Sequence, residues 1–209
     1  MNQYVDAVIL TKSMKNGGYC VAGINVNTSE WVRFISGDTN SHGALSDQDM
    51  LYENGKSCDI LDVVRVPIIR KAPSIHQPEN ILIDETKYWK KLHGLSIKDI
   101  LEIHPAEVHI DLLGNKYPYI TEERIHTVNH SLILIKASDL IITHPRTHST
   151  KAKFIYRYDV YENMSVTDPD YYESPEQTYI DKAVLVMSLP DTPYQERRYY
   201  KFIAKIFPI

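Results

Sequence analysis

The sequence predicts a mainly β protein with a few short helices, its strands gathered into two small barrels around an irregular middle. Three observations carry this reading. Runs of β-branched and aromatic residues recur towards both ends of the chain, turn-forming residues separate them at short intervals, and the helical signals are brief and confined to the middle.

Taken in order, Asp6–Thr11 reads as a strand through Val8 and Ile9, and Asn16-Gly17-Gly18 supplies a turn whose residues tolerate positive φ. Tyr19–Val26 is the second strand, Asn27-Thr28-Ser29-Glu30 a further turn, and Trp31–Ile35 the third strand of a meander. The stretch 36–57 is polar and Gly-punctuated, a long loop with one helical turn at Asp47–Tyr52, and Ile60–Ile69 is a fourth strand rich in Val.

Pro73, Pro78, Pro105 and Pro118 break the middle into short pieces. Ser96 followed by Asp99 resembles a capping box and predicts a helix over Ser96–His104. A second helix is predicted over Thr121–Val128, where Glu122 and Glu123 complement the dipole of a first turn. Strand character returns at Leu132–Lys136, Leu140–Thr143, Lys151–Tyr158, Ala183–Ser188 and Arg198–Phe207, the last with a period of two. Roughly five short strands in each half favour two OB-like β-barrels packed together over a parallel α/β sheet, with one β-sandwich as the alternative. The expected division is a barrel over 1–75, a helical or irregular insert over 76–130 and a barrel over 131–209.

Composition bounds the function. With 43% hydrophobic and 24% charged residues the chain is ordinary globular material, long enough to fold without disulfides or metals. Its two cysteines, Cys20 and Cys58, sit among apolar or small residues and are expected as reduced thiols. The N-terminus has no leader-like pattern and no apolar run is long enough to span a bilayer, so a cytoplasmic protein without a membrane partner is expected. The net charge of −4 excludes a protein coated in basic residues; a nucleic-acid site has to be a local stripe. Tyrosine is abundant, 15 against 4 Phe and 2 Trp, which suits sheet packing and interfaces alike.

Two such stripes stand out. The first combines Lys12, Lys15 and Tyr19 with Trp31 and Arg33; the second combines Lys151, Lys153, Arg157, Arg197, Arg198, Lys201 and Lys205 with Tyr156, Tyr158, Tyr199 and Tyr200. Single-strand binders use this mixture, cations following phosphates and rings stacking on bases. A core Trp31 and solvated lysines explain the same residues without a ligand. Asp168-Pro169-Asp170 offers two carboxylates for a divalent cation, or a turn. Glu85 and Lys87 match the end of a nuclease-like motif that lacks its upstream acid. His126 with His130 and His144 with His148 have helical spacing, but Pro145 interrupts the second pair and no Cys-x-x-Cys or His-Glu-x-x-His accompanies them. No nucleophile elbow or phosphate-cradling glycine loop is present, so no cofactor, metal or catalytic set is assigned.

Several of these stretches carry a resemblance. Thr11-Lys12-Ser13, Gly18–Ile24, Glu30-Trp31-Val32-Arg33, His42-Gly43-Ala44-Leu45, Gln77-Pro78-Glu79-Asn80, Ser165–Tyr172 and Tyr199–Ile206 make the chain similar to the bacterial family of dual OB domain-containing proteins, over essentially its whole length. The resemblance implies two OB folds and recognition of nucleic acid or a nucleotide. The functional expectation is therefore a non-enzymatic module for single-stranded nucleic acid or a nucleotide, using Lys12, Lys15, Tyr19, Arg33, Lys151, Lys153, Arg157, Tyr199 and Lys201. The alternatives are a metal-dependent phosphodiesterase built on Asp168 and Asp170, and a scaffold whose tyrosines meet a protein partner.

Overall fold

The computed structural model describes residues 3–15, 17–144, 149–173 and 176–209. The chain divides into two compact units, Met1–Pro73 with Glu79–Pro105, and Ser74–Pro78 with Ala106–Ile209.

In the first unit the apolar, β-branched segments form β1 (Gln3–Lys15), β2 (Gly18–Asn25), β3 (Trp31–Ile35), β4 (Asp62–Lys71), β5 (Asn80–Ile83) and β6 (Lys90–Gly94). The β1–β2 hairpin turns through Gly17 at φ +79°, a conformation that costs glycine nothing. The sheet runs β1-β2-β3-β5-β4-β6, and β1 also pairs with β4, closing a ring of five strands with β6 outside it. All its neighbours are antiparallel except β3 and β5, whose parallel register begins at Arg33 opposite Asn80. β1 bulges between Ile9 and Thr11, and there β2 comes so close that a Cβ on Gly23 would lie 1.9 Å from the Val8 carbonyl oxygen. Glycine is obligatory at that crossing. Ala7, Ile9, Val21, Val32, Phe34, Val64, Val66, Ile81 and Ile83 fill the interior with Met50, Tyr52, Cys58 and Trp89.

Two strands of this sheet lie where the sequence suggests an insert. β5 is four residues long and follows Pro78, too short to show a period; β6 is exposed along its length and alternates nothing. Helix α1 (Ile97–Ile103) forms where expected, with Ser96 and Asp99 in a complete capping box.

The second unit contains β8 (Leu132–Thr143), β9 (Lys151–Tyr156), β10 (Asp159–Val166), β11 (Gln177–Ser188) and β13 (Phe202–Pro208). These close a barrel in the order β10-β13-β11-β8-β9, again with one parallel pair, β10 with β13. Counting its five strands from the first, the order is the same as in the other unit. Each is the 1-2-3-5-4-1 ring of an OB barrel. Residues 132–143, expected as two strands, form one continuous β8 in which Asp139 takes φ +50° beside a register shift.

Arg198–Phe207, expected as one strand, is two. β12 (Arg198–Tyr200) leaves the barrel to pair with β7 (Tyr119–Thr121), and β13 starts after Lys201. The helix expected at Thr121–Val128 is replaced by β7 and a single 3-10 turn at Ile125–Thr127, because Ile120 and Ile125 are needed in the core. Phe154, Tyr161, Met164, Ile203, Leu185 and Met187 centre that core. Of the residues expected in buried strands, Val8, Ile9, Val21, Ala22, Val64, Val184, Val186 and Ile206 are fully shielded, whereas Trp31 and Phe202 are half-buried. Cys20 and Cys58 are free thiols. Among the described residues no helix is long and apolar enough to cross a membrane.

Candidate functional site

The second barrel presents its open face on β9 and β10. Ala152, Phe154 and Tyr156 point inward, which leaves Lys151, Lys153 and Ile155 outward on β9. On β10 Val160 stands opposite Ile155, and Glu162 follows on the same side before Asn163, at φ +57°, bulges the strand. Register carries the face across two further strands: Lys153 lies opposite Ile141 of β8, and Ile141 opposite Tyr179 of β11. Tyr179 is 58% exposed and donates its hydroxyl to Asp139 at 3.0 Å, which orients the ring.

The β9–β10 hairpin ends in a two-residue loop, Arg157-Tyr158, between the paired Tyr156 and Asp159. Such loops require positive φ at the first position, normally a glycine or asparagine. Here Arg157 occupies it at φ +60°, a strain of about 1–3 kcal/mol that sites of function commonly store. Its guanidinium donates to the His109 carbonyl at 3.2 Å, and Tyr158 beside it is 97% exposed. A fully solvated ring at a strained tip is expensive packing and useful recognition.

Charges on this face are lightly committed. Lys153 pairs with Glu162 at 2.7 Å, both side chains more than half exposed, an interaction worth about 0–1 kcal/mol. Lys151 is half-buried and donates to Ser165 Oγ at 2.8 Å; burial moves its ammonium below the ordinary lysine range. Phosphate can compete for both.

The other expected site residues are placed differently. Lys201 is fully buried, its ammonium donating to Leu112 O at 2.6 Å, Asn115 O at 2.6 Å and Asn115 Oδ1 at 2.8 Å. It pins the 112–115 turn to the barrel. Tyr199 is 5% exposed and packs edge-on against His76. Neither residue faces solvent, because β12 has turned away from the strand that sequence alternation suggests.

Lys205 is likewise buried, between Asp168 at 3.0 Å and the closely bonded Asp170. Asp168 also accepts from Ile206 N at 2.9 Å and Asp170 N at 3.2 Å. The carboxylate pair thus already holds a cation of the chain, and among the described residues no acidic or histidine cluster suited to a metal occurs. Glu85 is similarly engaged, accepting from Ser36 and the Gly37 amide. His148 lies outside the described residues.

In the first barrel Arg33 is 3% exposed, donating to Cys20 Sγ and paired with Glu79 at 3.4 Å. It is a buried structural cation. Lys12 lies over the Tyr19 ring, 5.3 Å from its centroid, and donates to Ser57 Oγ and Cys58 O. Lys15 donates to His42 O at 2.7 Å. These two lysines tie the β1–β2 hairpin to the following loops, apart from Arg33. Of the nine expected residues, Lys151, Lys153 and Arg157 share one accessible surface; sequence reasoning missed Tyr179, whose only signal was alternation along Gln177–Ile180.

A pair of five-stranded rings, each in the 1-2-3-5-4-1 order, defines a protein of two OB-type barrels. The family comparison is specific: the chain belongs to the dual OB-containing domain family, whose model matches residues 5–206. No curated protein matches it in sequence.

Proposed function

We propose that the chain binds single-stranded nucleic acid through the outer face of β9 and β10. The observation that carries this is the row Tyr179, Ile141, Lys153, flanked by Lys151 and by the solvated Tyr158. An exposed ammonium in register with an exposed ring offers a single strand a phosphate partner and a stacking surface, and strands two and three are where OB barrels take oligonucleotides. Glu162, Asp139 and Asp159 temper the charge, so binding is modest, and with only a few cations on phosphate it weakens with salt along a shallow slope.

The test is fluorescence anisotropy with labelled ten-residue homopolymer DNA and RNA at low and moderate salt. Wild-type protein binds, and the double reversal Lys151→Glu with Lys153→Glu weakens binding at least tenfold and flattens the salt slope. Unchanged affinity in the double variant overturns the proposal, as does a wild-type protein that binds neither polymer at low salt.

A further inference from the structure

The two-stranded sheet of β7 and β12 is separate from the barrel that carries the β9–β10 face, and its two sides differ. Ile120 and Tyr199, paired in register, turn inward at 1% and 5% exposure and belong to the core. Alternation leaves the pairs Tyr119 with Tyr200 and Thr121 with Arg198 on the outer side. An antiparallel bridge sets Tyr194 opposite Arg198, and directly opposed residues share a face, so Tyr194 joins them. Tyr117 stacks on Tyr119 with centroids 6.3 Å apart, and Tyr119 meets Tyr200 edge-on at 5.8 Å. Four tyrosines thus gather on one small surface, with Tyr117 65% and Tyr194 69% exposed.

Local strain and charge hold these rings in place. Glu196 and Arg197 both take positive φ, +58° and +55°, in the turn that brings Tyr194 alongside Arg198. Arg198 lies over the Tyr119 ring, 4.2 Å from its centroid, and pairs with Glu196 at 2.8 Å. Rings fixed in this way lose little conformational freedom when something docks on them.

The surface offers rings and hydroxyls rather than net positive charge. Arg197, Arg198 and Lys116 each meet a carboxylate, Glu122, Glu196 and Asp159, and Glu123 adds a fourth beside Thr121. Among the described residues no protein acceptor meets the hydroxyls of Tyr117, Tyr119 or Tyr194, which leaves three phenol donors for a ligand. A fitting ligand therefore brings compact apolar groups together with free carbonyl oxygens. An amphipathic helix keeps its carbonyls for its own hydrogen bonds, and an added β-strand needs a sheet edge rather than a face. A polyproline II segment has no internal hydrogen bonds, so its carbonyls are free, and its pyrrolidine rings dock on aromatic surfaces from a preformed conformation.

We infer that the outer side of the β7–β12 sheet docks a proline-rich segment of a partner protein. Its pyrrolidine rings rest on Tyr117, Tyr119 and Tyr194, and its carbonyls accept from their hydroxyls.

Fluorescence anisotropy of the full chain with labelled decaproline, and with a labelled glycine–serine decapeptide as the flexible control, tests this. Decaproline binds, and the control binds at least tenfold more weakly. Tyr117→Ala with Tyr194→Ala, both at exposed positions, weakens decaproline at least tenfold in protein of unaltered circular dichroism. Tyr117→Phe with Tyr194→Phe, which keeps the rings and removes the donors, weakens it severalfold. Lys151→Glu with Lys153→Glu leaves decaproline binding unchanged, and the double alanine variant leaves oligonucleotide binding unchanged, so this reading and the nucleic-acid one fail separately. The inference is overturned by wild-type protein that does not distinguish the two peptides, and by decaproline binding that survives either double tyrosine variant. A double alanine variant that loses oligonucleotide affinity assigns the surface to nucleic acid and overturns it as well.

Discussion

Replacing Asp168 with alanine separates a structural carboxylate from a catalytic one. The side chain is fully buried and holds Lys205 at 3.0 Å, Ile206 N at 2.9 Å and Asp170 N at 3.2 Å. Its removal orphans the Ile206 amide and leaves the buried ammonium with Asp170 alone, whose own side chain is 71% exposed and solvated. Breaking a buried ion pair from one side costs about 3–5 kcal/mol, a buried amide without acceptor being part of that sum. For a chain of this length that is a fall in melting temperature of roughly 6–20 °C. The assay is differential scanning calorimetry of wild type and variant, each with EDTA and with millimolar magnesium or manganese. The structure predicts a large drop for the variant and a wild-type midpoint indifferent to metal. A variant melting within 2 °C of wild type, or a wild type stabilised by either metal, refutes the reasoning and revives a metal-dependent site at Asp168 and Asp170.

Gly23→Ala forces a Cβ to within 1.9 Å of the Val8 oxygen and 2.8 Å of its carbonyl carbon, so β1 and β2 must part; chemical denaturation should show a loss of about 3 kcal/mol or more. Burial pushes the Lys201 ammonium down to about 7 from its ordinary 10.5, so between those values the unfolded chain holds the extra proton and stability rises with pH. Urea midpoints should therefore climb from pH 7 to 8.5, below the range where the raised Cys58 thiol opposes the trend, and the slope should shrink in Lys201→Met. Tyr158→Ala, at a 97% exposed position, should weaken oligonucleotide binding by roughly 1–3 kcal/mol per stacked base lost while leaving the melting temperature unchanged.

What the sequence made legible follows from which forces act locally. β1 to β3 announce themselves through β-branched runs and the Gly17 turn, and α1 through its capping box, because those signals reside in the segment itself. β6 and β10 were not legible. The first is an edge strand of exposed residues held by pairing with β4, and the second carries Asp159, Glu162 and Asn163 on a bulged, solvated face. The site was legible in part for a related reason. Alternation placed Lys151 and Lys153 outward correctly, but Lys201 and Lys205 look identical to surface lysines until Leu112, Asn115 and Asp168, distant in sequence, supply the oxygens that bury them. Arg33 was misplaced in the same way, by Glu79 and Cys20.

The most direct test of the proposed interface is an amide-resolved NMR titration of the labelled full chain with a ten-residue single-stranded oligonucleotide. Shifts concentrated in Lys151–Val166 and around Tyr179 are the predicted result. A titration that moves amides elsewhere while leaving β9, β10 and Tyr179 unperturbed contradicts it.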